Sequence, residues 1–225
     1  MKFRVFLFFG WLFLFPSVRA QLHVEQGLYR IAQLKYGGGG DWYANPTSLP
    51  NLLRFVREHS QIPVALEFDY VELTDPSLFT YPILYVTGHG NIEFTSEEIQ
   101  LLRLYLESGG FLFMDDNYGL HKYAMREMKK VLPEVEPVTL PPSHPIFHAH
   151  YSFPEGLPKI HEHDGKPAQL FGWYWKGRLV AILTYEADLG DGWEDPSVHH
   201  DPEPVRLQAL KMGLNVLAYV FNPPR

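Results

Sequence analysis

The sequence predicts an α/β fold: a doubly wound, mostly parallel sheet, completed by a C-terminal β-hairpin and a last helix. Three observations predict it. Short apolar runs alternate with stretches whose Leu and Val residues recur every three or four positions. Gly, His, Asp and Glu gather just past those apolar runs, as in Gly88-His89-Gly90 and Asp115-Asp116-Asn117. A proline-rich crossover, Leu140 to Pro145, then separates the alternation from two consecutive strand-like segments.

Taken in order, Leu28 to Tyr36 is a partly alternating strand, and the loop Gly37-Gly38-Gly39-Gly40-Asp41-Trp42 follows it. Asn45-Pro46-Thr47-Ser48 opens a helix that places Leu49, Leu52, Leu53 and Val56 on one face. Ala65 to Leu73 is the second strand, with a turn at Asp75-Pro76. Ile83 to Thr87 is a short apolar run, the mark of a buried parallel strand. Thr95-Ser96-Glu97-Glu98 opens a helix with acids in its first turn, where they complement the helix dipole, and Ser108-Gly109-Gly110 ends it. The strand Phe111 to Met114 delivers Asp115. A helix near Tyr123 to Val131 and a strand near Val135 to Leu140 continue the alternation. Gln169 to Trp175 and Arg178 to Tyr185 form a hairpin around Lys176-Gly177. Glu203 to Phe221 is the last helix, with Leu207, Leu210, Leu214 and Leu217 on its packing face.

The first twenty residues have a different logic. Lys2 and Arg4 precede an apolar run from Val5 to Phe15, and small residues stand at Val18 and Ala20. This pattern predicts a signal peptide cut after Ala20, since the apolar run falls short of the roughly 20 residues that span a bilayer. The expected product is a single α/β domain, residues 21–225, exported to the periplasm or beyond, with no integral membrane segment. Loss of Lys2, Arg4 and Arg19 takes the formal charge from −7 to −10. Such acidity argues against nucleic acid as a partner. The chain has no cysteine, which removes thiol nucleophiles, thiolate metal ligands and a lipoprotein anchor.

In open α/β sheets, ligands bind outside the carboxyl ends of the strands. Five constellations fall there. His89 lies between glycines that let the backbone turn and approach a ligand, or simply make a tight turn. Asp115 and Asp116 point to opposite sides of their strand, so one can face a site while the other caps the following helix. Asn117 extends this group. His161 and His163 are two apart, which on an extended segment places both rings on one face and makes them a candidate pair for Zn²⁺, Fe²⁺ or Mn²⁺. The alternative is a pair of exposed loop histidines. Asp188 to Asp195 packs acids and glycines together without the Glu that an EF-hand requires at its twelfth position; it is either a cation loop or a solvated acidic loop. Finally, Gly38 and Gly39 offer backbone amides, and Asp41, Trp42 and Tyr43 offer a side-chain wall or a sugar platform. Neither a Walker loop nor a dinucleotide fingerprint is present, so no nucleotide is expected. No Gly-x-Ser-x-Gly elbow exists either.

Leu34 to Tyr43, Thr87 to Gly90, Gly109 to Gly119 and Leu157 to Gly165 together resemble the bacterial family catalogued as domain of unknown function 4159, over almost all of the chain beyond Ala20. The resemblance implies a flavodoxin-like, class I glutamine amidotransferase-like fold, near the trehalose-utilisation-type proteins, which His144-Pro145-Ile146 and the hairpin Trp175 to Tyr185 also resemble. It implies no established activity. Amidotransferases carry a nucleophilic Cys where this chain has Asp115-Asp116-Asn117, so the glutaminase reaction does not transfer.

The expectation is a polar cleft lined by His89, Asp115, Asp116, His161 and His163 and walled by the Gly37–Trp42 loop. As an enzyme it would use a divalent metal or an Asp/His pair to hydrolyse a carbohydrate-related substrate, with His89 as acid/base and Asp116 as its orienter or a ligand. As a binding module it would present the same cleft to a glycan or an envelope partner protein. A third alternative is a structural partner in a membrane-associated complex.

Overall fold

The computed structural model describes residues 27–222. The predicted signal segment, residues 1–20, lies outside the described residues. Strands β1 (Ile31–Leu34), β2 (Asp69–Val71), β3 (Ile83–His89), β4 (Phe111–Tyr118), β5 (Val138–Thr139), β6 (Gln169–Trp175) and β7 (Arg178–Tyr185) form one sheet in the order β2-β1-β3-β4-β7-β6-β5. The pairs from β2 through β7 are parallel; β7–β6 and β6–β5 are antiparallel. The helices are α1 (Ser48–His59), α2 (Ser96–Glu107), α3 (His121–Val131), α4 (Leu189–Trp193), α5 (Pro196–His199) and α6 (Glu203–Phe221). The predicted fold class is therefore the observed one. No helix among the described residues is long and apolar enough to cross a membrane.

Alternation along the buried strands builds two cores. Ile83, Tyr85, Phe111 and Phe113 join α1 and α6 through Leu49, Leu53, Leu214 and Leu217. Leu84, Val86, Leu112 and Met114 join α2 and α3 through Leu102, Leu106, Ala124 and Met128. The parts of β3 and β4 covered on both faces, Ile83–Val86 and Phe111–Met114, are for that reason continuous apolar runs. Thr95 and Glu98 form a reciprocal capping box that starts α2 where its acidic first turn predicts.

Three expectations need correction. The strand near Val135 to Leu140 shrinks to the two exposed residues of β5, an edge paired antiparallel with β6. Pro137 and Pro141 bound it, and a proline cannot donate to a ladder. The second strand is three residues, not nine; Val64 meets Tyr29 only as an isolated bridge. The acidic stretch Asp188 to Asp195 is no solvated loop. It contains α4, with Asp188, Leu189 and Trp193 at 0% exposure. Trp193 anchors it by donating Nε1–H to Ala209 O (2.8 Å) and packing on Tyr85 and Phe113.

Candidate functional site

β4 carries three polar residues at its carboxyl end, and alternation sends them to different places. Asp115 turns to the α1/α6 side. It accepts hydrogen bonds from Thr184 Oγ1, from Leu189 N–H (3.3 Å) and from Gly190 N–H (2.6 Å). Burial pushes its pKa up to about 7; the bonds from Thr184 and Gly190 oppose the rise, and nearby Asp188 and Asp191 add to it. Asp116 turns to the α2/α3 side. Its Oδ1 accepts from Leu120 N–H (2.7 Å) at the start of α3, and its Oδ2 stands 3.5 Å from His121 Nδ1. Burial raises its pKa to about 6 against the amide bonds of Leu120 and His121. Asn117 returns to the first side, accepting from Thr87 Oγ1 (2.9 Å) and donating to Asp191 Oδ1 (3.1 Å).

The end of β7 meets the segment Leu157 to Gly165. Ile160 N–H donates to Ala187 O (2.9 Å), so the two chains run together. Glu186 and Asp188 both take left-handed backbone (φ 55° and 53°), a conformation costly for non-glycine residues. His161 is held by carboxylates on both edges of its ring. Nδ1 is 3.1 Å from Asp191 Oδ2 and 3.4 Å from Asp188 Oδ2; Nε2 is 3.1 Å from Asp201 Oδ1. Bonds to Asp188 and Asp191, with Asp201 adding to them against burial, hold its pKa up to about 11. His163 Nε2 bonds the same Asp188 Oδ2 that His161 approaches, and its ring stacks on Tyr118 at 4.7 Å. The ligand-type group that converges is His161, Asp191 and His199, with one donor atom of each within 4.8 Å of the others. His163 is outside that group.

The glycine loop and β3 meet on the other side. Asp41 clamps His89 twice, Oδ1 accepting the backbone N–H and Oδ2 lying 3.0 Å from ring Nδ1. The partner that orients His89 is thus Asp41, not Asp116, which is committed to α3 and His121. Gly40 N–H and Asp41 N–H donate to Asn91 O (3.0 Å) and His89 O (3.4 Å), so these amides brace the loop on the turn after β3. Gly88 has φ 133°, and a Cβ there would stand 2.8 Å from Asp41 O; glycine is what lets the loop close on His89. Trp42 is half-buried, Tyr43 is 63% exposed, and their rings meet edge to face at 5.5 Å.

A cavity of about 220 Å³ opens where β4, α3 and the end of β7 meet. Asp116, Tyr118, His121, His163, Asp164, Tyr185 and Glu186 line it. His121 Nδ1 is buried without a hydrogen-bond partner. Burial, then Lys166, lowers the His121 pKa. A larger cavity of about 790 Å³ lies at the opposite end of the sheet, between Tyr29, Ile62, His150 and Phe221. The smaller one holds the carboxylate–imidazole contact, and chemistry outweighs volume in choosing between them. Sequence reasoning missed His121, and noted His199-His200-Asp201 beside the acidic stretch without making His199 a ligand. The signal for His121 was its position five residues after Asp116 at a helix start; for His199, its closeness to the acidic stretch.

Residues 30–221 match the family described as Domain of unknown function (DUF4159). No curated protein matches the chain. The family match spans most of the sequence, and the chain belongs to that family.

Proposed function

We propose that this member of the Domain of unknown function (DUF4159) family is an exported hydrolase that acts on a carbohydrate-related substrate through Asp/His chemistry at the carboxyl ends of its strands. The observation that carries the proposal is the 220 Å³ cavity in which Asp116 faces His121 at 3.5 Å. It is below the roughly 300–1,000 Å³ of pockets for drug-sized ligands, so it suits one small ring or a chain end. Its carboxylates and the faces of Tyr118 and Tyr185 match a hydroxylated ligand, which needs acceptors for its hydroxyls and apolar faces for its C–H groups.

In this proposal His121, kept neutral near pH 7 by its lowered pKa, is the general base. The bond cleaved is an ester on the carbohydrate: the imidazole takes a proton from water as the water oxygen attacks the acyl carbon, giving a tetrahedral intermediate. The carboxylate of Asp116, 3.5 Å from Nδ1, stabilises the imidazolium that forms. The imidazolium returns the proton to the departing oxygen. The Asp41–His89 pair, on the neighbouring strand end, is a second acid–base couple for a longer substrate. Export rests on the pattern from Lys2 to Ala20, with residues 21–225 as one domain in the periplasm or outside the cell. The motif resemblance supports kinship with the glutamine amidotransferase-like superfamily, without the glutaminase reaction.

Release of nitrophenol from a panel of nitrophenyl glycosides and esters tests this. We expect turnover of at least one ester, and a fall in kcat/KM of about 100-fold or more in His121→Ala, with the melting temperature unchanged. No turnover of any substrate, or His121→Ala as active as the parent, overturns it.

A second reading is a non-catalytic module that binds a glycan or an envelope protein. The exposed Tyr43, edge-on to Trp42, which also meets Tyr70 at 5.6 Å, favours it. It predicts saturable binding without turnover, lost in Tyr43→Ala.

A further inference from the structure

A second group of side chains, on the α1/α6 side of the sheet, is not used by the acid–base cavity. We propose that His161, Asp191 and His199 bind a divalent first-row transition metal ion, with the buried carboxylate of Asp188 beside His161 adding negative charge to the site. The inference does not depend on the hydrolase proposal.

The spacing supports it first. Asp191 Oδ2 is 3.1 Å from His161 Nδ1 and 3.8 Å from His199 Nε2. Ligands about 2.0–2.2 Å from a tetrahedral ion stand roughly 3.3–3.6 Å from one another, so a small closure of His199 and a small opening of His161 accommodate an ion. The supporting bonds point the donors inward. Asp191 Oδ1 is tied by Asn45 Nδ2 (2.8 Å) and Asn117 Nδ2 (3.1 Å), which leaves Oδ2 for the ion. Asp201 accepts at His161 Nε2 through both oxygens (3.1 and 3.2 Å), which leaves Nδ1 on the Asp191 side. A carboxylate behind a ligating histidine is the usual second partner in metal sites, because it fixes the ring and raises its basicity.

The second, independent observation is Asp188. It is 0% exposed, its Oδ2 is 3.4 Å from His161 Nδ1, and its Oδ1 has no hydrogen-bond partner. A buried carboxylate oxygen without a partner needs an explanation, and a cation beside it is one. Among the described residues, the ion pairs of Asp188, Asp191 and Asp201 are all with histidines, and none is with Lys or Arg. Two imidazoles with carboxylates suit Zn²⁺, Fe²⁺ or Mn²⁺; Ca²⁺ and Mg²⁺ take oxygen donors.

The test uses purified protein without a polyhistidine tag. Its metal content is read by elemental mass spectrometry, and chelator-treated protein is titrated with ZnCl₂, MnCl₂ and CaCl₂ while melting is followed. We expect about one equivalent of metal and a rise in melting temperature with Zn²⁺ or Mn²⁺ but not Ca²⁺. The affinity should fall about 10- to 100-fold in Asp201→Asn, as for other partners of ligating histidines, and further in His199→Ala. His199 is on the surface, so that variant folds even if His161→Ala does not, and its circular dichroism checks this. No metal and no shift with Zn²⁺ or Mn²⁺, an equal shift with Ca²⁺, or unchanged affinity in both variants overturns the proposal. Ester turnover is measured separately, so either proposal can fail alone.

Discussion

At the amino end of the sheet, the cavity between Tyr29, Ile62, His150 and Phe221 encloses about 790 Å³; at the carboxyl end, the cavity beside Asp116 encloses about 220 Å³. The larger one has stacked rings in its wall, Tyr29 on Phe221 at 4.0 Å. The smaller one has a carboxylate facing an imidazole. Among the described residues, every histidine–carboxylate contact lies at the carboxyl end. So do four of the five non-glycine described residues with left-handed backbone, Asn45, Glu186, Asp188 and His200; the fifth, Lys176, is in the tight turn between β6 and β7. Parallel strands point the same way, so the loops that follow them converge at one end, and there side chains from distant segments meet. Volume records only how loosely loops pack; strained backbone and perturbed acids record where the chain holds an arrangement at a cost.

Four substitutions would break or sharpen this contrast. Trp193→Ala should be the most damaging, at about 3–5 kcal/mol, because Trp193 joins the site to the core through Tyr85, Phe113 and Ala209. Denaturant unfolding would show it, and a loss under about 1 kcal/mol would mean that α4 stands without its anchor. Gly88→Ala should cost about 2–3 kcal/mol, since the new Cβ meets the Asp41 carbonyl in a left-handed backbone. The ring signals of His89 should shift with it in an NMR spectrum, as the clamp opens.

Asp116→Asn is a pH experiment. The folded pKa of Asp116, about 6, exceeds the ordinary value of about 3.9. Between those values the folded state holds a proton that the unfolded state has lost. The contribution of Asp116 to stability is therefore present at low pH and lost as pH rises from about 4 through about 6. Asparagine keeps a capping oxygen for Leu120 N–H without the charge. The variant should gain on the parent across that window by about 2 kcal/mol or less, as read from unfolding curves at pH 4, 5, 6 and 7. A flat difference would mean that Asp116 titrates as an ordinary surface acid. The smallest effect belongs to the amino end. Gln61→Ala, in the wall of the large cavity, should change stability by less than about 0.5 kcal/mol and leave metal content and turnover alone. An effect on either would relocate the site.

The parallel part of the fold was legible because the first halves of β3 and β4, Ile83–Val86 and Phe111–Met114, are apolar and buried on both faces, and α1 and α2 show helical spacing or caps. β5 was overread because Val135 to Leu140 has strand-forming residues but prolines on both sides of the two that pair. The split of Asp115 from Asp116 followed from strand periodicity alone. That Asp41 clamps His89 did not, because the two are 48 positions apart and meet only when the glycine loop folds onto the turn after β3. His161 was visible as a donor, but its neighbours Asp191 and Asp201 lie 30 and 40 positions away.

The sequence by itself determined the family, the α/β class and the end of the sheet where polar groups gather, because apolar periodicity and turn residues are local properties of the chain. Only the tertiary structure decided which groups face one another: Asp41 with His89, Asp116 with His121, and His161 with Asp191 and His199. It also decided that Asp188 to Trp193 is buried rather than solvated. The physical reason is that pairing and burial depend on where distant segments come to rest, and composition is the same whether an acidic stretch ends in water or against a core.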